Sequence, residues 1–110
     1  MILYHITDNQ QWSDALDTGV YTPDAFAADG FIHCSTESQV VVVANRFYAD
    51  RKDLLLLIID AELVAAPIIF ENLEAGSELF PHIYGPLNIE AVLKVTSFVP
   101  NEAGCFHHTL

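Results

Sequence analysis

Residues 78–87, ELFPHIYGPL, place a histidine and a tyrosine inside an apolar segment that contains two prolines. Side chains two residues apart share one face of an extended strand, so His82 and Tyr84 are expected to point the same way. Ile83 is expected to point the other way, into the core. The stretch therefore predicts a strand with one apolar face and one face that carries hydrogen-bonding groups.

Two further histidines lie in similar apolar surroundings, His5 within LYHIT (residues 3–7) and His33 within GFIHCST (residues 30–36). A neutral imidazole donates from one nitrogen and accepts at the other, and it changes protonation near neutral pH. We predict that the three strands bring His5, His33 and His82 together in one cleft as catalytic residues.

The composition excludes some classes of partner. The chain has 110 residues, which is the size of one domain spanning residues 1–110. Fifteen acidic residues against four basic ones give a net charge of −11, which repels a phosphate backbone. We therefore expect neither DNA nor RNA as a partner, whereas a small anionic ligand remains compatible with a local basic pocket.

The cysteines and the apolar runs indicate a cytoplasmic protein. The two cysteines form no Cys-x-x-Cys pair, so reduced thiols are expected. The longest apolar run, residues 54–59, is far shorter than the roughly 20 residues that span a bilayer, and no signal peptide is visible. We expect a cytoplasmic monomer or weak dimer without a membrane partner.

The hydrophobic pattern predicts an α+β domain of about six short strands and two helices in the N-terminal half. Strands are predicted over residues 2–6, 30–34, 54–59, 68–70 and 92–99 and within residues 78–87. One helix is predicted to start after Thr7 or Asp8 and end at Gly19, and a second to start at Ser35 or Thr36 and run to Phe47. Residues 20–29 and 71–78 are predicted to be loops.

Two other kinds of site remain open at this point. Three imidazoles with an open position would suit a hydrolytic zinc ion, although no His-Glu-x-x-His motif is present. Cys34 could act as a nucleophile only with His5 or His82, because adjacent residues on a strand point to opposite faces. Arg46 could hold a phosphate, and Glu78 could serve as an acid, a base or a ribose ligand. His107 and His108 are predicted to form a mobile polar tail without a role.

Four motifs, YHIT (residues 4–7), GFIHCS (30–35), ANRFY (44–48) and LFPHIYGPL (79–87), resemble the bacterial domain-of-unknown-function family 952 in order and spacing. The resemblance covers essentially the whole chain. It implies the fold of ADP-ribosyltransferases and RNA 2'-phosphotransferases, in which two small facing sheets are split around an NAD-binding cleft.

The same resemblance implies site residues. His5 and its motif would hold the nicotinamide ribose and amide of NAD, and His33 would flank the nicotinamide. The ligand-binding residues predicted beside the three histidines are Thr7, Ser35, Thr36, Arg46 and Tyr84. The implied cofactor or substrate is NAD or a related nucleotide, and no metal is expected.

The chain differs from many transferases at the third motif. A glutamate usually orients the ribose there, but this segment offers His82 and Tyr84, with Glu78 only upstream. The resemblance therefore implies a degenerate ADP-ribosyltransferase, and it leaves open whether the chain is an enzyme. The alternatives are a non-catalytic module that binds a small ligand and a structural partner protein, for which an exposed apolar patch is expected.

Overall fold

Residues 1–72 and 76–107 are described by the computed structural model of the chain. Within them lie eight strands, β1 Ile2–Asp8, β2 Val20–Tyr21, β3 Ile32–His33, β4 Leu54–Asp60, β5 Ile68–Glu71, β6 Phe80–Ile83, β7 Leu87–Asn88 and β8 Val92–Ser97. The helices there are α1 Asn9–Thr18, α2 Phe26–Asp29 and α3 Glu37–Phe47, with single 3-10 turns at Ala61–Leu63 and Ile89–Ala91. The predicted α+β class is confirmed, and the radius of gyration of 13.3 Å is that of one compact domain.

The number and grouping of the elements differ from the prediction. The strands form three small antiparallel sheets with the orders β1-β4-β8, β2-β7 and β3-β6-β5. The prediction of about six strands in two sheets with two helices was wrong in these numbers. The short elements β2, β7 and α2 have too few residues to show a period in the sequence.

β4 is the centre of the first sheet, as its uninterrupted apolar sequence predicts. It pairs with β1 on one side and β8 on the other. Leu57 and Ile59 pack in one buried cluster, whereas Leu54 and Leu56 pack in a second cluster with α3. Both faces of this strand are therefore buried, which explains why it shows no alternation of apolar and polar residues.

β6 is the strand predicted within residues 78–87, and it lies at the centre of the third sheet. Ile83 is fully buried in the cluster that contains Leu57, which confirms the predicted core-facing side. His82 pairs with His33 across the strands and with Ile69 on the other side. The other face of β6 thus presents His82 beside His33.

A two-residue connection joins the third sheet to the first. The backbone N–H of Cys34 donates to the Pro81 carbonyl at 3.0 Å. The next residue, Ser35, exchanges two hydrogen bonds of 2.8 Å with Tyr4, whose strand β1 is at the edge of the first sheet. The step from Cys34 to Ser35 therefore brings β1, β3 and β6, with one histidine each, to one junction.

Both predicted helices are confirmed together with their caps. The Asp8 carboxylate accepts the Gln11 N–H at 2.9 Å at the start of α1, and Gly19 ends this helix with a φ of 90°. At the start of α3, the Gln39 side chain accepts the Thr36 N–H at 3.0 Å. The run of valines stays helical because this cap and the packing of one helix face outweigh the local preference for a strand.

Two segments predicted as loops contain regular structure. In residues 20–29, β2 pairs with β7 and the single-turn helix α2 ends at Gly30, whose φ is 81°. In residues 71–78, Glu71 belongs to β5 and pairs with Phe80. Residues 73–75 of that predicted loop lie outside the described residues.

No helix within the described ranges is both long and apolar enough to cross a membrane.

Candidate functional site

A cavity of about 640 Å³ opens at the junction of the sheets. It is lined by His5, His33 and His82, together with Tyr21 and Phe31. Clefts of this size hold small molecules up to the size of a cofactor. The structure thus brings the three predicted histidines to one cleft, which is the geometric condition for a shared site.

His5 is held by two protein groups. Its Nδ1 lies 2.5 Å from the His33 carbonyl oxygen, and its Nε2 lies 2.6 Å from the Tyr21 hydroxyl. A carbonyl only accepts, so Nδ1 carries the proton and donates, while Nε2 of the neutral ring accepts from the Tyr21 hydroxyl. Burial lowers the pKa of His5 from 6.5 to about 4, which keeps the ring neutral. Both nitrogens are therefore occupied, and His5 fixes the backbone at His33.

His82 has one nitrogen in a hydrogen bond and one without a described protein partner. Its Nδ1 lies 2.8 Å from Oε2 of Glu71, and the same oxygen accepts a hydrogen bond from the Tyr84 hydroxyl. These two bonds, the one from Tyr84 first, lower the pKa of Glu71, and the bond to Glu71 raises the pKa of Tyr84. Tyr84 directly follows β6, and its side chain and that of His82 meet at one carboxylate, which agrees with the predicted common direction of the two side chains.

His33 is the exposed member of the three. Its side chain is 59% accessible, and Nε2 lies 2.9 Å from Oδ2 of Asp29 at the end of α2. Phe31 connects it to His82, since the Phe31 ring stacks on His82 with centroids 4.1 Å apart and meets His33 edge-on at 4.6 Å. The His33 and His82 rings themselves are 5.3 Å apart. These three rings form a continuous aromatic wall of the cleft.

The family model described as "Protein of unknown function (DUF952)" matches residues 6–95 of the chain. The chain belongs to this family.

Solved structures of CC0527 from Caulobacter crescentus have the same fold as this DUF952 protein. Its X-ray crystal structure is 27% identical with a TM-score of 0.86, and the alignment covers 97% of this chain and 94% of that chain. A double-mutant crystal structure gives the same values, and the solution NMR structure is 28% identical with a TM-score of 0.83 over 94% and 90% of the two chains. Comparison with curated proteins gave no match.

The remaining predicted ligand-binding residues of this DUF952 protein fall into two groups. Ser35 and Arg46 line the cleft, whereas Thr7, Thr36 and Tyr84 are not among the lining residues. Thr7 is buried on β1 opposite Leu55, Thr36 caps α3, and Tyr84 bonds to Glu71 and packs against Phe31, both of which line the cleft. Of these five predicted residues, Ser35 and Arg46 are therefore the two that lie in the cleft wall.

The sequence prediction missed Glu71. It assigned this residue to an exposed loop and took Glu78 as the carboxylate near the third motif. The structure pairs β5 with β6, which places the Glu71 carboxylate on His82 and in the lining of the cleft. The available signal was an acidic residue directly after the apolar run of residues 68–70, one hairpin away from His82. A carboxylate therefore lies beside the third motif, supplied by the neighbouring strand.

Glu78 also lines the cleft, and its Oε2 accepts a hydrogen bond from Nε2 of Gln39 at 3.2 Å. Arg46 and Arg51 line it as well. Arg51 is paired with Asp53 at 2.6 Å, while the Arg46 guanidinium lies 5.1 Å from the centre of the Phe47 ring. The cleft wall thus carries carboxylates from the segment around β5 and β6 and cations from α3 and the turn that follows it.

The two other kinds of site considered from the sequence find little support. Cys34 is buried in the core, and burial raises the pKa of its thiol, which disfavours the thiolate that a nucleophile needs. Within residues 1–72 and 76–107, no three His, Cys, Asp or Glu side chains are placed to hold one metal ion. His107 is exposed, and His108 lies outside the described residues.

Proposed function

We propose that the cleft binds a small nucleotide, with NAD as the ligand to test first, and that the protein is a transferase of the ADP-ribosyl type. One observation carries this proposal. The Glu71 carboxylate lies in the lining of the cleft that His5, His33 and Tyr21 also line, so the acidic group that such chemistry uses at the ribose is present despite its absence from the third motif.

The charges along the cleft suit the two ends of NAD. The nicotinamide ring carries a positive charge, and the carboxylates of Glu71 and Glu78 line the same cleft as the aromatic ring of Phe31. The pyrophosphate is anionic, and Arg46 is a cation in the same cleft for which no acidic partner is described within residues 1–72 and 76–107. An overall charge of −11 argues against a long polyanion such as RNA, but it does not oppose a ligand with both signs of charge.

The chemistry would be the loss of nicotinamide from the ribose. The bond from C1' to the ring nitrogen breaks with its electron pair going to nicotinamide, and positive charge develops on the ribose. A fixed carboxylate stabilises that charge more strongly in the transition state than in the ground state, and the aromatic wall orients the ring. The protein then contributes orientation and electrostatic stabilisation.

The test is direct. The protein is incubated with NAD, and released nicotinamide is measured by chromatography while binding is measured by calorimetry. We expect saturable binding of NAD and release of nicotinamide. In His33→Ala the binding should be weaker and the release slower, and because the His33 side chain is exposed, its removal leaves the core intact. Glu90→Gln, at an exposed position in the 3-10 turn after β7, is the matched control and should behave as the wild type. Absence of binding would contradict the proposal.

A non-catalytic binding module is the second candidate, because protein groups already occupy several polar atoms of the cleft. Both nitrogens of His5 are in hydrogen bonds with the protein. One oxygen of Glu71 likewise accepts two hydrogen bonds, from His82 and Tyr84. Saturable NAD binding without any release of nicotinamide would favour this candidate over the transferase.

A further inference from the structure

The Glu71, His82 and Tyr84 cluster holds an imidazole in one defined orientation. Glu71 bonds to Nδ1 of His82 at 2.8 Å, and the Tyr84 hydroxyl bonds to the same carboxylate oxygen. On the other side, the Phe31 ring stacks on the imidazole with 23° between the planes. The His82 side chain is 6% accessible, so it cannot swing freely into solvent.

The protonation of the cluster follows from its partners. An ionised carboxylate only accepts hydrogen bonds, and the bonds from Tyr84 and His82 lower the pKa of Glu71 and so favour the ionised form. The hydrogen of the Glu71 contact must then belong to Nδ1 of His82. In the neutral ring, Nε2 consequently carries a lone pair and no proton.

Nε2 of His82 is an accessible atom of a residue that lines the cleft. The only hydrogen bond described for the His82 ring uses Nδ1. Nε2 is not among the fully buried side-chain atoms that lack a partner in the described part of the chain. Nε2 is therefore not sealed in the core, and His82 is one of the residues that line the cleft. A basic nitrogen, fixed in direction, is thus open to a bound ligand.

We propose that His82 is the general base of this cleft and that Glu71 is the residue that positions it. This inference rests on the transferase function proposed above and names the acceptor as a hydroxyl compound, either water or an alcohol. The acceptor oxygen bonds to C1' of the ribose as the bond to nicotinamide breaks, and Nε2 of His82 takes the proton from that oxygen. Nicotinamide leaves with the electron pair, and the imidazolium is stabilised by Glu71.

Two substitutions separate the base from its positioning residue. His82→Asn keeps an amide that can donate to Glu71 but removes Nε2, and Glu71→Gln keeps the size of the side chain but removes its charge. General base catalysis contributes typically 10² to 10⁴ in rate, so we expect kcat for nicotinamide release to fall about 100-fold in His82→Asn and about tenfold or more in Glu71→Gln. The KM for NAD should stay within about threefold in His82→Asn, because Nε2 of His82 acts on the acceptor oxygen and not on NAD.

The double variant and a matched control complete the experiment. His82→Asn combined with Glu71→Gln should be slower than His82→Asn alone by a smaller factor than Glu71→Gln causes in the wild type, since part of the effect of Glu71 is exerted through His82. Glu90→Gln makes the same chemical change away from the cleft and should keep the wild-type kcat. Thermal unfolding of each variant shows that the fold is retained.

The possible outcomes test the general-base role of His82 separately from the proposed transferase activity. Nicotinamide release by the wild type with kcat reduced as stated in both variants supports it. Release by the wild type with unchanged kcat in either variant overturns the inference and leaves the transferase standing. Binding of NAD without release by the wild type overturns both the transferase and the inference, and leaves the binding module.

Discussion

His5 and His82 line the same cleft and are almost equally buried, at 7% and 5% accessibility, yet their ring nitrogens are used differently. Protein groups occupy both nitrogens of His5, one from the backbone of His33 and one from Tyr21. At His82, residues 1–72 and 76–107 supply a hydrogen-bond partner for Nδ1 alone. Burial alone therefore does not distinguish a structural histidine from one that has a ring nitrogen available to a ligand. The number of nitrogens satisfied by the protein does.

Substitution of the two histidines should therefore have different consequences. Loss of His5 should damage the fold first, because its ring joins β1 to β2 and to the backbone of β3. Loss of His82 should damage the chemistry first. His5 remains a predicted catalytic residue, but the geometry favours a role in holding His33 and Tyr21 in place.

The largest expected effect is that of His5→Ala on stability. The substitution leaves the Tyr21 hydroxyl and the His33 carbonyl without their partner and opens a cavity, so the free energy of unfolding should fall by about 3 kcal/mol. Urea denaturation measures this value, and His82→Asn is the comparison, with a clearly smaller loss. A loss at His5 no greater than that at His82 would remove the distinction between the two residues.

A smaller effect is expected in the pH dependence of stability. The pKa of His5 is about 4 in the folded protein and 6.5 when unperturbed, so between these values the unfolded chain binds more protons and stability falls as the pH is lowered. Between pH 7 and pH 5 the wild type should lose about 2 kcal/mol relative to His5→Ala, which lacks this group. Urea denaturation of both proteins at the two pH values gives the difference. A constant difference would show that His5 is not buried in its neutral form.

The smallest expected effect is a change in the pKa of Tyr84, which shares the Glu71 carboxylate with His82. Its hydrogen bond to Glu71 raises its pKa above 10.0. Glu71→Gln replaces the charged acceptor by a neutral amide, so the pKa of Tyr84 should fall back toward its ordinary value. Tyrosinate absorbance during an alkaline titration measures the shift, and Tyr84→Phe assigns it. Identical titration curves for Glu71→Gln and Glu90→Gln would mean that Tyr84 does not use this carboxylate.

Residue patterns predicted the parts of the molecule that depend on local chemistry. The caps at Asp8 and Thr36, the central strand β4 and the opposite faces of His82 and Ile83 all follow from side-chain type and spacing. They could be predicted because neighbours along the chain determine them.

The parts that depend on pairing between distant strands could not be predicted. Glu71 reaches His82 only because β5 pairs with β6 in one register, and Tyr21 reaches His5 from a two-residue strand whose partner is β7. A shift of one residue would turn either side chain to the opposite face, and nothing in the local sequence fixes that register. The partners of the histidines were therefore missed, although the histidines themselves were found.

Of these two buried histidines, we expect His82 to have a ring nitrogen available to a ligand and His5 to have none. A long-range proton–nitrogen NMR spectrum of the labelled protein, recorded during a titration with NAD, tests it most directly. Both rings should carry their proton on Nδ1, and the Nε2 signal of His82 should move as NAD binds while both nitrogen signals of His5 stay in place. Movement of the His5 signals with no change at His82 would show that His5, and not His82, has the ring nitrogen available to the ligand.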